Sequence, residues 1–174
     1  MNMQGLPPAL LQATEALASL PGVGPKTALR MALAILARGP EEAEMLARAI
    51  EALPRRVRFC ERCFGFAEGA LCAICADANR DAGLLCVVEQ PVDVLLMERT
   101  GQFRGVYHVL HGRLSPVDGV GPERLRIAAL DARISRSSIR ELILATSATV
   151  DGEATAHFLA RRYRDRVPKI SRIA

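Results

Sequence analysis

Four cysteines fall within one short window, Cys60-x-x-Cys63 and Cys72-x-x-Cys75. Each pair offers two thiolates, and two such knuckles supply the four sulfurs of a tetrahedral zinc ion. The alternatives are two disulfides or four ordinary thiols, but paired C-x-x-C in an intracellular chain favours a metal. With all four ligand positions filled by protein, the predicted site is structural and leaves no open position for a catalytic water. The insert from Phe64 to Leu71 is too short to fold alone, so metal binding would supply its folding energy. Cys86 is left over, and its neighbours Leu84-Leu85 and Val87-Val88 read as a buried strand, which makes it inert core.

The second group is Leu20-Pro21-Gly22-Val23-Gly24-Pro25-Lys26-Thr27. Two glycines let backbone approach an anion closely, and free N–H groups at the start of the following helix point toward it. Lys26 adds a charge there, and Arg30 lies one turn further along the same face. The alternative is a tight helix–helix turn whose glycines serve geometry alone. The stretch resembles the helix-hairpin-helix motif, which binds DNA phosphates without reading bases. That resemblance makes Gly22, Gly24, Lys26, Thr27 and Arg30 the DNA-binding candidates.

Carboxylates form the third group. Glu89 follows a predicted strand, and Asp151 and Glu153 follow another, at the sheet edge where open α/β folds bind ligands. Asp151 and Glu153 could equally serve to charge the start of the next helix. The arrangement resembles the Toprim domain, whose catalytic members hold magnesium with a Glu after the first strand and a D-x-D after a later one. On that pattern the two aspartates fall on Ser147 and Thr149. Neutral hydroxyls bind Mg²⁺ poorly. A magnesium-dependent phosphotransfer enzyme of the nuclease, topoisomerase or primase kind is therefore the weaker alternative. Tyr107 and Tyr163 sit in a strand and a helix, without the setting of a topoisomerase nucleophile. His108 and His111 straddle a strand exit and read as packing residues rather than a metal pair.

These groups need elements to hold them. Residues 8–59 read as helical, with three helices: Pro8 to Leu20, Pro25 to Arg38, and Glu41 to Leu53 with Pro54 as its stop. Met45, Leu46, Ala49, Ile50 and Leu53 are the expected inner face of the third. Thereafter strands are expected at 84–88, 106–110, 142–146 and 169–173, and helices at 92–100, 123–130 and 151–164. Short apolar strands alternating with helices imply a mostly parallel, doubly covered sheet. The expected organisation is a helix-hairpin-helix DNA-binding region over 1–54, a zinc module over 55–80, and an α/β Toprim domain over 81–174. The fold class is thus multi-part, α+β and α/β.

Composition narrows the function classes. The 174 residues are 50% hydrophobic but only 4% aromatic, so the core is aliphatic. A net charge of +4 permits an anionic partner. No basic stretch precedes an apolar one as in a signal peptide, and no apolar span reaches roughly 18 residues. A cytoplasmic protein that does not engage membranes is expected, with its thiols reduced and available for zinc.

A helical hairpin, four cysteines and a Toprim domain without its aspartates, in that order, resemble the RecR family of bacterial recombination mediators. The residues carrying this are Leu20 to Ala28, the four cysteines with Ala76-Asp77 and Arg80-Asp81, Cys86 to Glu89, Tyr107 to Gly112, Leu114 to Pro116, Gly119 to Pro122, and Gly152 to Thr155. The resemblance implies no enzyme but a DNA clamp, built as a ring of four with swapped hairpins. With RecO and RecF it would load RecA onto single-stranded DNA coated by SSB. It also implies that the acidic Toprim surface docks RecO, which nominates Glu89, Asp151 and Glu153. Members of the family continue past the last strand with a Gly-Pro-rich loop and a final helix. Since this sequence ends at Ala174, dimers joined through the hairpins are expected rather than closed tetramers.

Overall fold

Proline and glycine set the boundaries of the first three helices. In the computed structural model, which describes residues 5–173, these are α1 (Pro8–Ala18), α2 (Pro25–Arg38) and α3 (Pro40–Arg56). The chain divides into two units, Met1–Arg56 and Val57–Ala174.

Within the first unit, α1 and α2 pack through small side chains, since Thr14, Ala28 and Ala32 are its buried residues. Small residues let two helix backbones approach closely, and Thr14 satisfies its own hydroxyl by donating to the Leu10 carbonyl at 2.8 Å. Two expectations for α3 are corrected. Pro54 lies inside the helix, which runs on to Arg56. Proline removes one N–H and crowds one carbonyl, a cost that an exposed final turn can absorb. Nor do Met45, Leu46, Ile50 and Leu53 face inward: all four are exposed, and α3 buries no residue. Periodicity shows that a helix has an apolar face, not that the same chain covers it.

The second unit begins with a short antiparallel hairpin, β1 (Arg58–Phe59) and β2 (Phe66–Ala67), followed by the single-turn α4 (Ala73–Ala76). There follow β3 (Asp81–Val88), α5 (Pro91–Glu98), β4 (Gly105–Val109), α6 (Ile127–Arg136), β5 (Glu141–Ala145), α7 (Val150–Tyr163) and β6 (Lys169–Arg172). The helix expected from Glu123 begins later: Pro122–Arg124 is a 3₁₀ turn, and α6 continues to Arg136. The four long-range strands form one parallel sheet in the order β4-β3-β5-β6.

That order decides where a site can form. The chain runs from β3 outward to β4, then crosses back over β3 to place β5 on its other side. The ends of β3 and β5 therefore flank a topological switch point, and the loops after them open into the crevice where doubly wound sheets bind ligands. One sheet face packs Leu85, Val87, Leu142 and Leu144 against Leu130, Leu159 and Tyr163 of α6 and α7. The other packs Cys86, Val88, Tyr107 and Val109 against Val94 of α5, with Phe64 and Ile74 of the cysteine module beside them. Cys86 is fully buried and its thiol is pushed up to about 12 by that burial, as its reading as inert core requires. No helix among the described residues is long and apolar enough to cross a membrane.

Candidate functional site

The β1–β2 hairpin and α4 bring Cys60, Cys63, Cys72 and Cys75 together from two knuckles. Their sulfurs lie within 4.8 Å of one another, with Cys63 and Cys72 at 3.6 Å. All five cysteines are free. A tetrahedral ion with bonds of about 2.3 Å places its sulfurs roughly 3.8 Å apart, so the cluster fits zinc. Backbone N–H groups of Gly65, Cys72 and Cys75 donate to Cys63, Cys60 and Cys72 sulfurs, each at 3.4 Å. Such donors hold thiolates in place and spread their charge. Arg62 donates to the Cys75 carbonyl at 2.8 Å. Arg133 donates to the Tyr107 carbonyl at 2.6 Å; burial pulls its guanidinium below the usual arginine value, opposed by the nearby Cys75 and Cys63.

The module is sewn onto the sheet. Val109 of β4 donates its N–H to the Cys63 carbonyl at 2.8 Å, and Nε2 of His111 meets the Phe64 carbonyl at 2.9 Å. Since a carbonyl only accepts, His111 carries a proton on Nε2. The Phe64 ring sits edge-on to His108 at 5.4 Å, with the Arg126 guanidinium 5.1 Å from its centroid. Phe64 thus meets both histidines, His111 through its carbonyl and His108 through its ring.

In the helical hairpin, Gly22 has φ +79, a conformation that glycine adopts without strain. Val23 N–H closes the turn on the Leu20 carbonyl at 3.1 Å. Gly24 is the N-cap of α2, extended and without a side-chain cap, and Pro25 follows. Ala28 is the first amide bonded back into the helix, at 2.9 Å to the Gly24 carbonyl. The N–H groups of Lys26 and Thr27 are thus left without helical acceptors. The Lys26 and Arg30 side chains, one turn apart, are both exposed.

The switch-point crevice is built differently from a magnesium site. Glu89 is only 6% exposed, and its Oε1 accepts from Ser147 N–H at 2.8 Å and Ser147 Oγ at 2.9 Å. With the Ser147 proton committed there, the 2.8 Å contact between Ser147 and Thr149 hydroxyls is donated by Thr149. Thr149 in turn accepts from Gly152 N–H at 3.2 Å as the N-cap of α7. A relay of hydroxyls therefore joins the helix start to Glu89 through the two positions where aspartates were sought. A Cβ at Gly152 would collide with the Ser147 carbonyl, so this close turn requires glycine.

The other carboxylates are held by arginines. Arg113 lies 3.6 Å from Glu89 and 3.7 Å from Asp151, while Arg172 donates to Glu153 at 2.6 Å and to Thr146 Oγ1 at 3.0 Å. Among the described residues the cysteines are the one group of three or more potential metal ligands, so Glu89, Asp151 and Glu153 do not converge as one. Sequence reasoning missed Arg113 and Arg172. They come from remote segments, and no local spacing announces an arginine that a parallel sheet will bring to another strand's end.

Residues 10–53 match the RecR helix-hairpin-helix family, residues 57–77 the RecR zinc finger domain with four cysteine ligands, and residues 83–174 the Toprim domain. The Recombination protein RecR of Magnetococcus marinus is 52% identical over 96% of this chain and 84% of its own length. That of Syntrophobacter fumaroxidans is 47% identical over 100% of this chain and 87% of its own length. That of Thermus thermophilus is 51% identical, with 97% and 84% covered. With its hairpin, cysteine centre and Toprim sheet all matched in order, the chain belongs to the RecR family.

Proposed function

We propose that this protein is a non-catalytic DNA-binding clamp of recombinational repair, which works in the bacterial cytoplasm with RecO and RecF to load RecA onto SSB-coated single strands. The observation that carries it is the hairpin: amides of Lys26 and Thr27 without acceptors among the described residues, beside the exposed Lys26 and Arg30 cations. Gly24 adds to it, because its φ of −76 suits any residue and a Cβ there would meet nothing among the described residues within 4 Å. Its lack of a side chain leaves room for something from outside, and a phosphate oxygen is what those amides would take.

Zinc held by Cys60, Cys63, Cys72 and Cys75 is the structural cofactor of this reading. The uncovered apolar face of α3, with Met45, Leu46, Ile50 and Leu53 exposed, supports a homo-oligomer in which a second hairpin covers it. For RecO, Asp151 and Glu153 on the first turn of α7 are the proposed contacts; the buried Glu89 would act by fixing Ser147 behind them.

The test is DNA binding by the zinc-loaded chain at two salt concentrations, with oligomer mass recorded by light scattering on the same samples. K26A/R30A is expected to weaken single-stranded and duplex binding alike, on the order of tenfold, and to flatten the salt slope by about one unit per lost phosphate contact. Unchanged binding and slope would remove the hairpin from the DNA site.

The absence of a magnesium reaction has its own test. Wild type is expected to show no Mn²⁺ binding at millimolar concentration and no nicking of supercoiled DNA, because Ser147 and Thr149 offer neutral oxygens and Arg113 places a cation between Glu89 and Asp151. S147D/T149D/R113A is expected to gain Mn²⁺ binding by calorimetry. Nicking by wild type that depends on Mg²⁺ would reinstate the enzyme reading.

A further inference from the structure

Phe59 and Phe66 face each other across the β1–β2 hairpin, their rings stacked at 6.1 Å with 25° between planes. They are 48% and 46% exposed, unusual for phenylalanine in a chain with so few aromatics. Core packing does not account for them: the cysteine cluster is closed over by Ala67 and Ile74. The pair is nevertheless held rigidly. Zinc-knuckle residues flank both strands, and the Phe59 ring meets His111 edge-on at 4.4 Å.

His111 leads from this pair into a cleft of ≈ 330 Å³ that Arg113 and Arg124 also line. Arg124 is exposed, and among the described residues no ion pair holds it. Among the described residues, Arg113 has only the long contacts to Glu89 and Asp151. The one carboxylate lining the cleft, Asp118, accepts from the Ser115 hydroxyl at 2.8 Å. An exposed, pre-stacked aromatic pair thus adjoins a cleft with two arginines that a phosphate can engage.

We propose that this surface is a second nucleic-acid site, at which unpaired bases of a single strand stack on Phe59 and Phe66 while the adjoining phosphate enters the cleft toward Arg113 and Arg124. It deepens the DNA-binding reading and rests on it. Stacking on a fixed ring tolerates any base and requires that base to be unpaired, whereas phosphate contacts at the hairpin do not distinguish paired from unpaired strands. The site therefore gives the protein a preference for single strands that the hairpin alone cannot supply. A protein partner would also be attracted by apolar side chains, but the arginines beside the rings favour the polyanion.

The experiment compares the full zinc-loaded chain on three probes: oligothymidylate, an abasic strand of equal phosphate number, and a duplex. Wild type is expected to bind oligothymidylate more tightly than the abasic strand, on the order of tenfold. F59L/F66L keeps the apolar surface but not the π faces, and should lose that margin while binding duplex as before. F59Y/F66Y should retain it. Zinc content and melting temperature of each variant confirm that the hairpin is intact. Equal binding of oligothymidylate and abasic strand by wild type would overturn the proposal, as would a leucine variant that keeps the margin. A leucine variant that changes oligomer mass and not base preference would show a protein interface instead. Failure of the hairpin reading looks different: duplex binding would then be insensitive to K26A/R30A.

Discussion

Replacing Cys63 with serine is expected to abolish zinc binding and to unfold residues 57–80. Structural zinc sites bind with an apparent free energy of about 10–16 kcal/mol at neutral pH, as large as the whole stability of a domain at about 5–15 kcal/mol. The module has little else to hold it, since its buried residues are the four cysteines and Ala67, with Ile74 packed on them. The effect should spread to the sheet. Cys63 supplies the carbonyl that receives Val109 N–H, and the next residue, Phe64, fills the space between His108 and Arg126. The Val109 amide should therefore exchange its hydrogen far faster in C63S, while amides of α2 keep their rates. Metal analysis and hydrogen exchange check this together. A variant that retains one zinc per chain, or that keeps Val109 protected after chelation, would contradict it.

The second large effect is acid lability centred on His108. Its ring is fully buried, Nε2 donates to the Arg126 carbonyl at 2.9 Å, and among the described residues Nδ1 has no partner. A proton on Nδ1 would be a buried charge without an acceptor. Burial first, and then Arg133 and Arg126 as neighbouring cations, pull the imidazole down to about 4 from 6.5, against the Arg126 hydrogen bond, which favours the charged form. The folded state thus refuses a proton that the unfolded chain accepts between these two values. Stability is complete above pH 6.5 and declines as pH falls toward 4, by about 3 kcal/mol in total. Glu98 and Asp131 act lower down. Arg80 and Arg162 respectively hold their carboxylates below the usual values, so their stabilisation is lost only as pH falls further. Chemical denaturation from pH 7.5 to 4 should show a shallower slope in His108→Gln, which keeps a donor but does not titrate there, while the loss of zinc from its thiolates at acid pH is common to both proteins. Parallel curves for the two proteins would rule out His108 as the source.

How much of this was legible in the sequence depended on how local each cause is. The second helix was bounded correctly at Pro25 and Arg38, because proline at its start and Gly39 beyond its end act within a few residues. The cysteine cluster was legible for the same reason: ligand spacing carries its own geometry. The strands were placed to within a few residues from their apolar runs. The uncovered face of α3 was not legible, since a periodic stripe looks the same whether its cover lies in the same chain or elsewhere. The late start of α6 was hidden because Pro122 favours a turn that begins helically but closes as 3₁₀ before Ile127. At the switch point the loss of two aspartates could be read directly. The hydroxyl relay and the arginines beside it could not, because they depend on which strands become neighbours.

The strand order also governs how the chain can fold. β3 meets β4 from nearby sequence, with Val88 opposite Val109, but its other flank is completed only when Leu84 finds Glu141 and Val88 finds Ala145. Closing the longer loop costs little extra entropy, yet contacts distant in sequence form late. During synthesis the helical hairpin, the cysteine knuckles and the β3–β4 pair can all assemble before β5 has left the ribosome. Over that interval Leu84 to Val88 present an apolar strand with an open hydrogen-bonding edge, the kind of surface that recruits other chains. For a nascent molecule, the interval between making Val109 and making Ala145 is therefore the period of greatest aggregation risk.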